Sequence, residues 1–313
     1  MTPKPTGADP GGEEGNRNSE PEGPRLRHVP VDPAVQRMVE AALEEDVGSG
    51  DRTTLWTVPP GLRTRARIVA KEELVVAGGE VVVEVFRQLA PALEVLRRCP
   101  DGSHLGPGDE VARLEGSARA ILTGERTALN FLALLSGVAS LTWTFVSEVK
   151  GTGVEITDTR KTTPGLRGLE KAAVRAGGGS NHRMGLYDMV LIKENHIAAA
   201  GGIRQAVAAV RRANEEGLPV EVEVARPGQV EALEGLGVDR LLLDNMTESE
   251  MEMVVRQVRG WDAPRPLLEA SGNMTLDRVG RVARTGVDLI SVGALTHSAP
   301  SSDLSLLLEG VDW

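Results

Sequence analysis

Apolar positions along the chain follow two periods, and the pattern changes near residue 150. In the first part, Val35, Met38, Val39, Ala42 and Leu43 recur at helical spacing between Pro33 and Glu45, with Asp32 placed to cap and Pro33 in the first turn. Asp46 to Asp51 is a Gly- and Ser-containing loop. Strand-like runs follow at Arg65 to Ala70, Val75 to Ala77 and Val111 to Leu114, with a helix at Gly79 to Ala90 among them. Short strands with a helix or two describe an α/β layered domain. Thr123 to Val149 reads as a long apolar helical stretch with a candidate break at Gly137. Ser136, Gly137, Ala139 and Ser140 would let another element approach closely. Being apolar on nearly every side, the stretch belongs between domains or subunits.

After Lys150, β-type runs alternate with helical patterns. The runs are Val154–Thr157, Met189–Ile192, Val220–Val224, Arg240–Leu243, Leu267–Glu269 and Leu289–Val292; the clearest helices are Ile203 to Asn214, Glu248 to Arg259 and Leu276 to Thr285. Such alternation predicts a parallel sheet with crossovers, either a barrel or a doubly wound sheet. Polar residues decide between them. Asp158 to Lys161, Lys193 to His196, Glu223, Asp244-Asn245, Ser271 to Asn273 and Gly293 each fall at or just after a run. Chemistry at nearly every strand end describes a barrel mouth, whereas a doubly wound sheet gathers it at one switch point.

Composition narrows the class. The 313 residues carry 35 Lys+Arg against 45 Asp+Glu, a net charge of −10, which speaks against coating a nucleic acid. One cysteine, Cys99, allows no internal disulfide and no Cys-based zinc site. No apolar run is read as reaching the roughly 18 residues of a membrane helix, and residues 1–25, rich in Pro, Gly and Glu, form neither a signal peptide nor a core. The expectation is a cytoplasmic protein with a disordered tail at 1–25, an N-terminal α/β domain at 26–137 and a β/α barrel with a C-terminal segment at 138–313.

Four features could carry chemistry. Arg160, Lys161, Arg167, Lys171, Arg175, His182, Arg183 and Lys193 crowd one region of an acidic chain. If they converge they make a polyanion site, Arg gripping carboxylate or phosphate bidentately and Lys adding point charge; position after a β-run favours Arg160, Lys161 and Lys193, and leaves Arg167, Lys171 and Arg175 as ordinary surface. Gly177 to Arg183 is a glycine-rich segment without a P-loop or dinucleotide fingerprint. In Val220-Glu221-Val222-Glu223-Val224 the alternation turns both glutamates into the barrel, where Glu223, with Asp244, suits Mg²⁺, sugar hydroxyls or a positively charged sugar. Ser271-Gly272-Asn273 and Ser291-Val292-Gly293 resemble the phosphate loops that barrels place last. His104 and Cys99 read as structural, and His297 as a helix-start residue.

The run Asp158-Thr159-Arg160-Lys161-Thr162-Thr163-Pro164-Gly165-Leu166-Arg167, continuing through Gly178 to Arg183 and Leu191 to His196, resembles the quinolinate phosphoribosyltransferases. The similarity extends through Glu45 to Asp51, Glu125 to Asn130, Leu243 to Met246 and Glu269 to Asn273, and covers nearly everything from about residue 35 onward.

This resemblance implies an N-terminal α/β domain, an incomplete seven-stranded barrel, and a homodimer, with a higher assembly left open, in which Arg126 completes the neighbour's site. It implies transfer from phosphoribosyl pyrophosphate to quinolinate, giving nicotinate mononucleotide, pyrophosphate and CO₂ with Mg²⁺. Arg126, Arg160, His182, Arg183 and Lys193 would bind quinolinate, Lys161 would help hold the pyrophosphate, and Thr159 belongs to the substrate-binding set. Glu223 and Asp244 would hold the ribose hydroxyls and Mg²⁺, and Ser271, Gly272, Asn273, Ser291, Val292 and Gly293 would cradle the 5′-phosphate. The residues alone leave other readings open: a phosphoribosyltransferase for another aromatic acid, a phosphosugar enzyme with a Schiff-base lysine, or a barrel that only binds a phosphorylated metabolite.

Overall fold

The computed structural model describes residues 31–97 and 99–309; the segment expected to be a tail lies outside them. Helix α1 (Pro33–Val47) starts where the Asp32 carboxylate accepts from Ala34 N at 2.7 Å. A short helix the sequence did not disclose, α2 (Arg52–Thr57), follows, capped by Asp51, which accepts from Thr54 N at 2.9 Å. Next come β1 (Arg63–Ala70), β2 (Leu74–Val75), α3 (Gly79–Leu89), β3 (Glu94–Arg97), β4 (His104–Leu105) and β5 (Glu110–Ser117). Strands β1, β5 and β3 pair antiparallel in that order, and β2 pairs with β4. Ala66 and Ile68 on β1, Leu114 on β5, and Val81, Val85 and Phe86 on α3 form the core of this layer.

Helix α4 (Ala118–Glu148) runs unbroken for 31 residues, so the expected break at Gly137 does not occur. The glycine serves close approach instead: a Cβ there would stand 1.9 Å from Pro300 O, and one at Gly177 would stand 2.3 Å from Ala139 O. The neighbouring serines hold the N-terminal layer, Ser136 Oγ accepting from Ala77 N (3.1 Å) and Ser140 Oγ from Val75 N (2.8 Å). By length and composition α4 could cross a membrane, which corrects the expectation that no run is long enough. Its apolar character has another origin, since α3 and β2 pack on it from one domain and α5 and α9 from the other.

The second part contains β6 (Glu155–Thr157), α5 (Arg167–Ala176), β7 (Val190–Ile192), α6 (Glu194–Ala200), α7 (Ile203–Ala213), β8 (Val220–Val224), β9 (Arg240–Asp244), α8 (Glu248–Arg259), β10 (Leu267–Ser271), α9 (Leu276–Ala283), β11 (Leu289–Ser291) and α10 (Ala294–His297). Six strands pair in parallel in the order β6-β11-β10-β9-β8-β7. First and last being neighbours, the sheet must curl round on itself. On the other side of β6, Ser180 bridges Thr157 in parallel and supplies a one-residue seventh strand. Among the described residues nothing pairs the Ser180 segment with β7, which leaves the barrel incomplete there. The last strand, β12 (Leu304–Glu309), returns to the N-terminal sheet and pairs antiparallel with β1.

Candidate active site at the barrel mouth

Parallel strands deliver their following loops to one end of the barrel. Thr159, Arg160 and Lys161 follow β6, Lys193 follows β7, Glu223 lies next to the end of β8, and Asp244, Ser271 and Ser291 end β9, β10 and β11. The loop after β6 is held in place by polar groups of its own and of α5 and α10. Lys161 N donates to Thr159 Oγ1 (3.0 Å), Thr163 N to the buried Glu170 (3.0 Å), and Thr296 Oγ1 to Lys161 O (2.8 Å). Arg167 joins this loop to the next segment through Thr162 Oγ1 and Met184 O.

Lys171 is not surface. It is fully enclosed, pairs with the equally buried Asp158, and donates to His182 O at 2.9 Å. Asp158 also accepts from His182 N (2.9 Å) and Asn181 Nδ2 (2.6 Å), and Arg175 donates to Asn181. Burial pushes the Asp158 carboxyl up, against the pull of the Lys171 ammonium. This pair anchors the glycine-rich segment to β6 and so aims His182 and Arg183.

The cationic pocket has little internal neutralisation. Arg160 Nε is buried without a hydrogen-bond partner among the described residues, and burial together with the nearby Arg160 holds Arg183 below its ordinary value. Arg183 Nη1 donates to Met189 O at 3.1 Å. Lys193 is half-exposed, 3.5 Å from Glu223. Two adjacent guanidiniums sharing few anionic partners have the charge and geometry to receive an anion.

Beneath the pocket lies a group of buried ionisable side chains outside the expected site. Glu221 and Glu269 are wholly buried, and Glu269 pairs with Arg240 at 2.7 Å. His182 Nε2 stands 3.0 Å from Glu221 Oε2 and 3.5 Å from Glu269 Oε1. Among the described residues, both Glu221 oxygens and Glu269 Oε1 accept no hydrogen bond. Burial accordingly pushes Glu221 up to about 7 and Glu269 upward, the latter further raised by Glu221, and burial pushes His182 down. The three ligand atoms lie close enough for a metal triad. The ring speaks otherwise: Arg183 N donates to His182 Nδ1 at 2.7 Å. That leaves the neutral ring's proton on Nε2, the nitrogen a metal would need bare.

The remaining expected residues line the rim. Asp244 accepts from Asn245 Nδ2 at 2.9 Å. Asn245 and Asn273 both hold left-handed backbone (φ 54° and 48°), joined by Asn273 Nδ2 donating to Asn245 Oδ1 at 3.1 Å. A Cβ on Gly272 would strike that same Oδ1 at 2.2 Å, so glycine is required between them. The second loop contributes less than expected. Ser291 and Val292 are buried, and the Val292 N–H is spent on Thr157 O at 2.9 Å, extending the β11–β6 pairing. Gly293 alone of the three is partly exposed, and it lies against the Lys161 side chain and His297. His297 ends α10 instead of starting it, while His104 stacks edge-on against Trp143 at 4.4 Å.

Arg126 stands apart from this cluster. It is exposed on the half of α4 that packs against the N-terminal layer, and it makes no hydrogen bond or ion pair among the described residues. Glu221, Glu269, Arg240, Asp158 and Lys171 were absent from the expected site. The β8 alternation did point Glu221 inward, whereas Glu269 and Lys171 show their partners only once the barrel is closed.

Residues 51–136 match the family model for the N-terminal domain of quinolinate phosphoribosyl transferase, and residues 138–307 that for its C-terminal domain. A nicotinate-nucleotide pyrophosphorylase (carboxylating) of Mycobacterium leprae is 43% identical over 276 residues, covering 87% of this chain and 96% of that protein. A probable enzyme of the same name from Bacillus subtilis is 41% identical, with 84% and 89% covered. The solved nicotinate-nucleotide pyrophosphorylase of Francisella tularensis superposes with a TM-score of 0.84 at 37% identity, over 88% of this chain and 96% of that one. With both domains matched and the charged mouth in place, the chain belongs to the quinolinate phosphoribosyl transferase family.

Proposed function

We propose that the protein transfers the phosphoribosyl group of phosphoribosyl pyrophosphate to quinolinate with loss of CO₂, giving nicotinate mononucleotide and pyrophosphate. The observation that carries this reading is the under-neutralised pair Arg160 and Arg183, with Lys193 beside them, at the mouth of an acidic protein's barrel. A planar dianion with two adjacent carboxylates matches that charge and the bidentate habit of guanidinium.

Arg160, Arg183 and Lys193 hold the two carboxylates, with Thr159 at the edge of the loop. Glu223 and Asp244 face the ribose hydroxyls and stabilise positive charge on C1 as pyrophosphate departs. Lys161, exposed beside Gly293, meets the pyrophosphate. The backbone of Gly272, Asn273 and Gly293 offers the small, close-approach surface that a 5′-phosphate needs. Glu223 and Asp244 are hard oxygen donors on neighbouring strands, with oxygens not taken up by hydrogen bonds, and so suit Mg²⁺. When bound, the ion supplies charge neutralisation for pyrophosphate. After transfer, the quaternised ring nitrogen is the electron sink for decarboxylation, and the site need only hold the ring and exclude water.

Arg126, exposed and without an ion-pair partner among the described residues, fits a role in a partner's site, making the working unit a cytoplasmic homodimer. A product assay with phosphoribosyl pyrophosphate and Mg²⁺ tests the reading. Nucleotide from quinolinate and none from nicotinate supports it; nucleotide from nicotinate, or from neither acid, refutes it.

A further inference from the structure

We infer that His182 acts on the substrate through Arg183 and not by direct contact, and that Glu221 is the positioning residue that holds its ring. The inference rests on the dicarboxylate reading above and concerns what sets the arginine that reads it. Both edges of the imidazole are engaged inside the protein. Nδ1 accepts from the Arg183 backbone N–H at 2.7 Å, and Nε2 stands between Glu221 Oε2 at 3.0 Å and Glu269 Oε1 at 3.5 Å. Only 6% of the side chain is exposed, too little to offer a carboxylate a second nitrogen.

The neighbouring contacts explain what the ring accomplishes. Lys171 fixes the His182 carbonyl and Asp158 its N–H, so the backbone at 182 is set from one side. The imidazole sets the next peptide from the other side, and that peptide carries Arg183. The arginine's own Nη1 is tied to Met189 O, leaving the rest of the guanidinium for an anion. Glu269 is already committed to Arg240 at 2.7 Å, whereas the Glu221 oxygens have no hydrogen-bond partner among the described residues and meet the imidazole edge in the 3.0 Å contact alone. Glu221 is therefore the group whose loss frees the ring edge.

Electrostatics and positioning predict opposite signs for one substitution. Glu221 lies in the field of Arg183 and Lys193. Were charge its whole contribution, removing it would strengthen binding of a dianion, and Glu221→Leu and Glu221→Gln would behave alike. Positioning predicts that Glu221→Leu raises the quinolinate KM about 10- to 100-fold, with kcat and the phosphoribosyl pyrophosphate KM within about threefold. Glu221→Gln keeps a polar oxygen of the same reach against Nε2 and should recover most of that loss.

The test is steady-state kinetics of both variants against wild type, whose turnover of quinolinate in the same assay separates failure of this inference from failure of the functional reading. An unchanged or lowered quinolinate KM in Glu221→Leu, or an equal rise in Glu221→Gln, overturns the inference. A second measurement needs no change at Glu221. Nitrogen-15 spectra of the histidine rings, with His182 assigned by its absence in His182→Asn, should show a neutral ring protonated on Nε2, unaltered when quinolinate binds. A ring that gains a second proton or exchanges tautomer with quinolinate contacts the substrate directly and overturns it as well.

Discussion

His182 Nε2 stands 3.0 Å from Glu221 Oε2, and neither group reaches bulk water to any useful extent. A carboxyl so enclosed titrates late, and its shift is linked to stability. The folded value of about 7 compares with an ordinary 4.5. Between these values the folded chain keeps a proton that the unfolded chain has lost. Glu221's contribution to stability is thus fully present below about pH 4.5 and disappears as pH rises through 7, amounting to about 3 kcal/mol. Glu269 and Asp158 are shifted the same way and His182 the opposite way, so the clean observable is wild type minus Glu221→Gln in denaturant unfolding. That difference should decline between pH 4.5 and 7 and level off above. A flat difference would show that Glu221 titrates normally.

Lys171 and Asp158 form a buried pair that also carries the His182 backbone. Removing one charge leaves the other enclosed and unpaired, which costs about 3–5 kcal/mol. Lys171→Met should lower the denaturation midpoint accordingly, and the double variant with Asp158→Asn should regain part of the loss. Equal stability of Lys171→Met and wild type would mean that the pair is accessible to water.

Gly137 allows the 299–303 segment to cross α4 on its way to β12. A methyl group there would meet Pro300 O at 1.9 Å, a backbone atom that cannot turn aside. Gly137→Ala should therefore destabilise the protein by about 1–3 kcal/mol or more, measured by reversible unfolding. A neutral effect would show that this crossing yields easily.

Arg126 is exposed and has no hydrogen-bond or ion-pair partner among the described residues. If it completes a neighbour's site, Arg126→Ala and Arg183→Ala are each nearly inactive alone. Mixed and reassociated, they should regain up to about a quarter of wild-type activity, because half the dimers are mixed and each of these has one intact site. No recovery in verified mixed dimers would place Arg126 outside the shared site.

The barrel was legible because the chemistry falls at strand ends, and a strand end can be read from a short apolar run followed by charge. The alternation in Val220–Val224 even gave the direction of Glu221, since period-2 geometry holds in any sheet. Other features depend on residues far apart in sequence. Lys171 sits on an amphipathic helix and looks solvated until Asp158, 13 residues earlier, is brought beneath it. Glu269, inside Leu-Leu-Glu-Ala-Ser, looks like an outward polar position until Arg240 on the adjacent strand meets it. Gly137 resembles a helix breaker locally, yet its role is set by Pro300, 163 positions away, and the seventh strand is a single bridge at Ser180 that leaves no periodicity to detect.

The measurement that bears most directly on the account is the fate of label in quinolinate turned over with phosphoribosyl pyrophosphate. Quinolinate labelled in the carboxyl beside the ring nitrogen should release one labelled CO₂ per nicotinate mononucleotide, and quinolinate labelled in the other carboxyl should keep all its label in the nucleotide. Nucleotide that retains both carboxyls, or CO₂ released without nucleotide, would contradict the account.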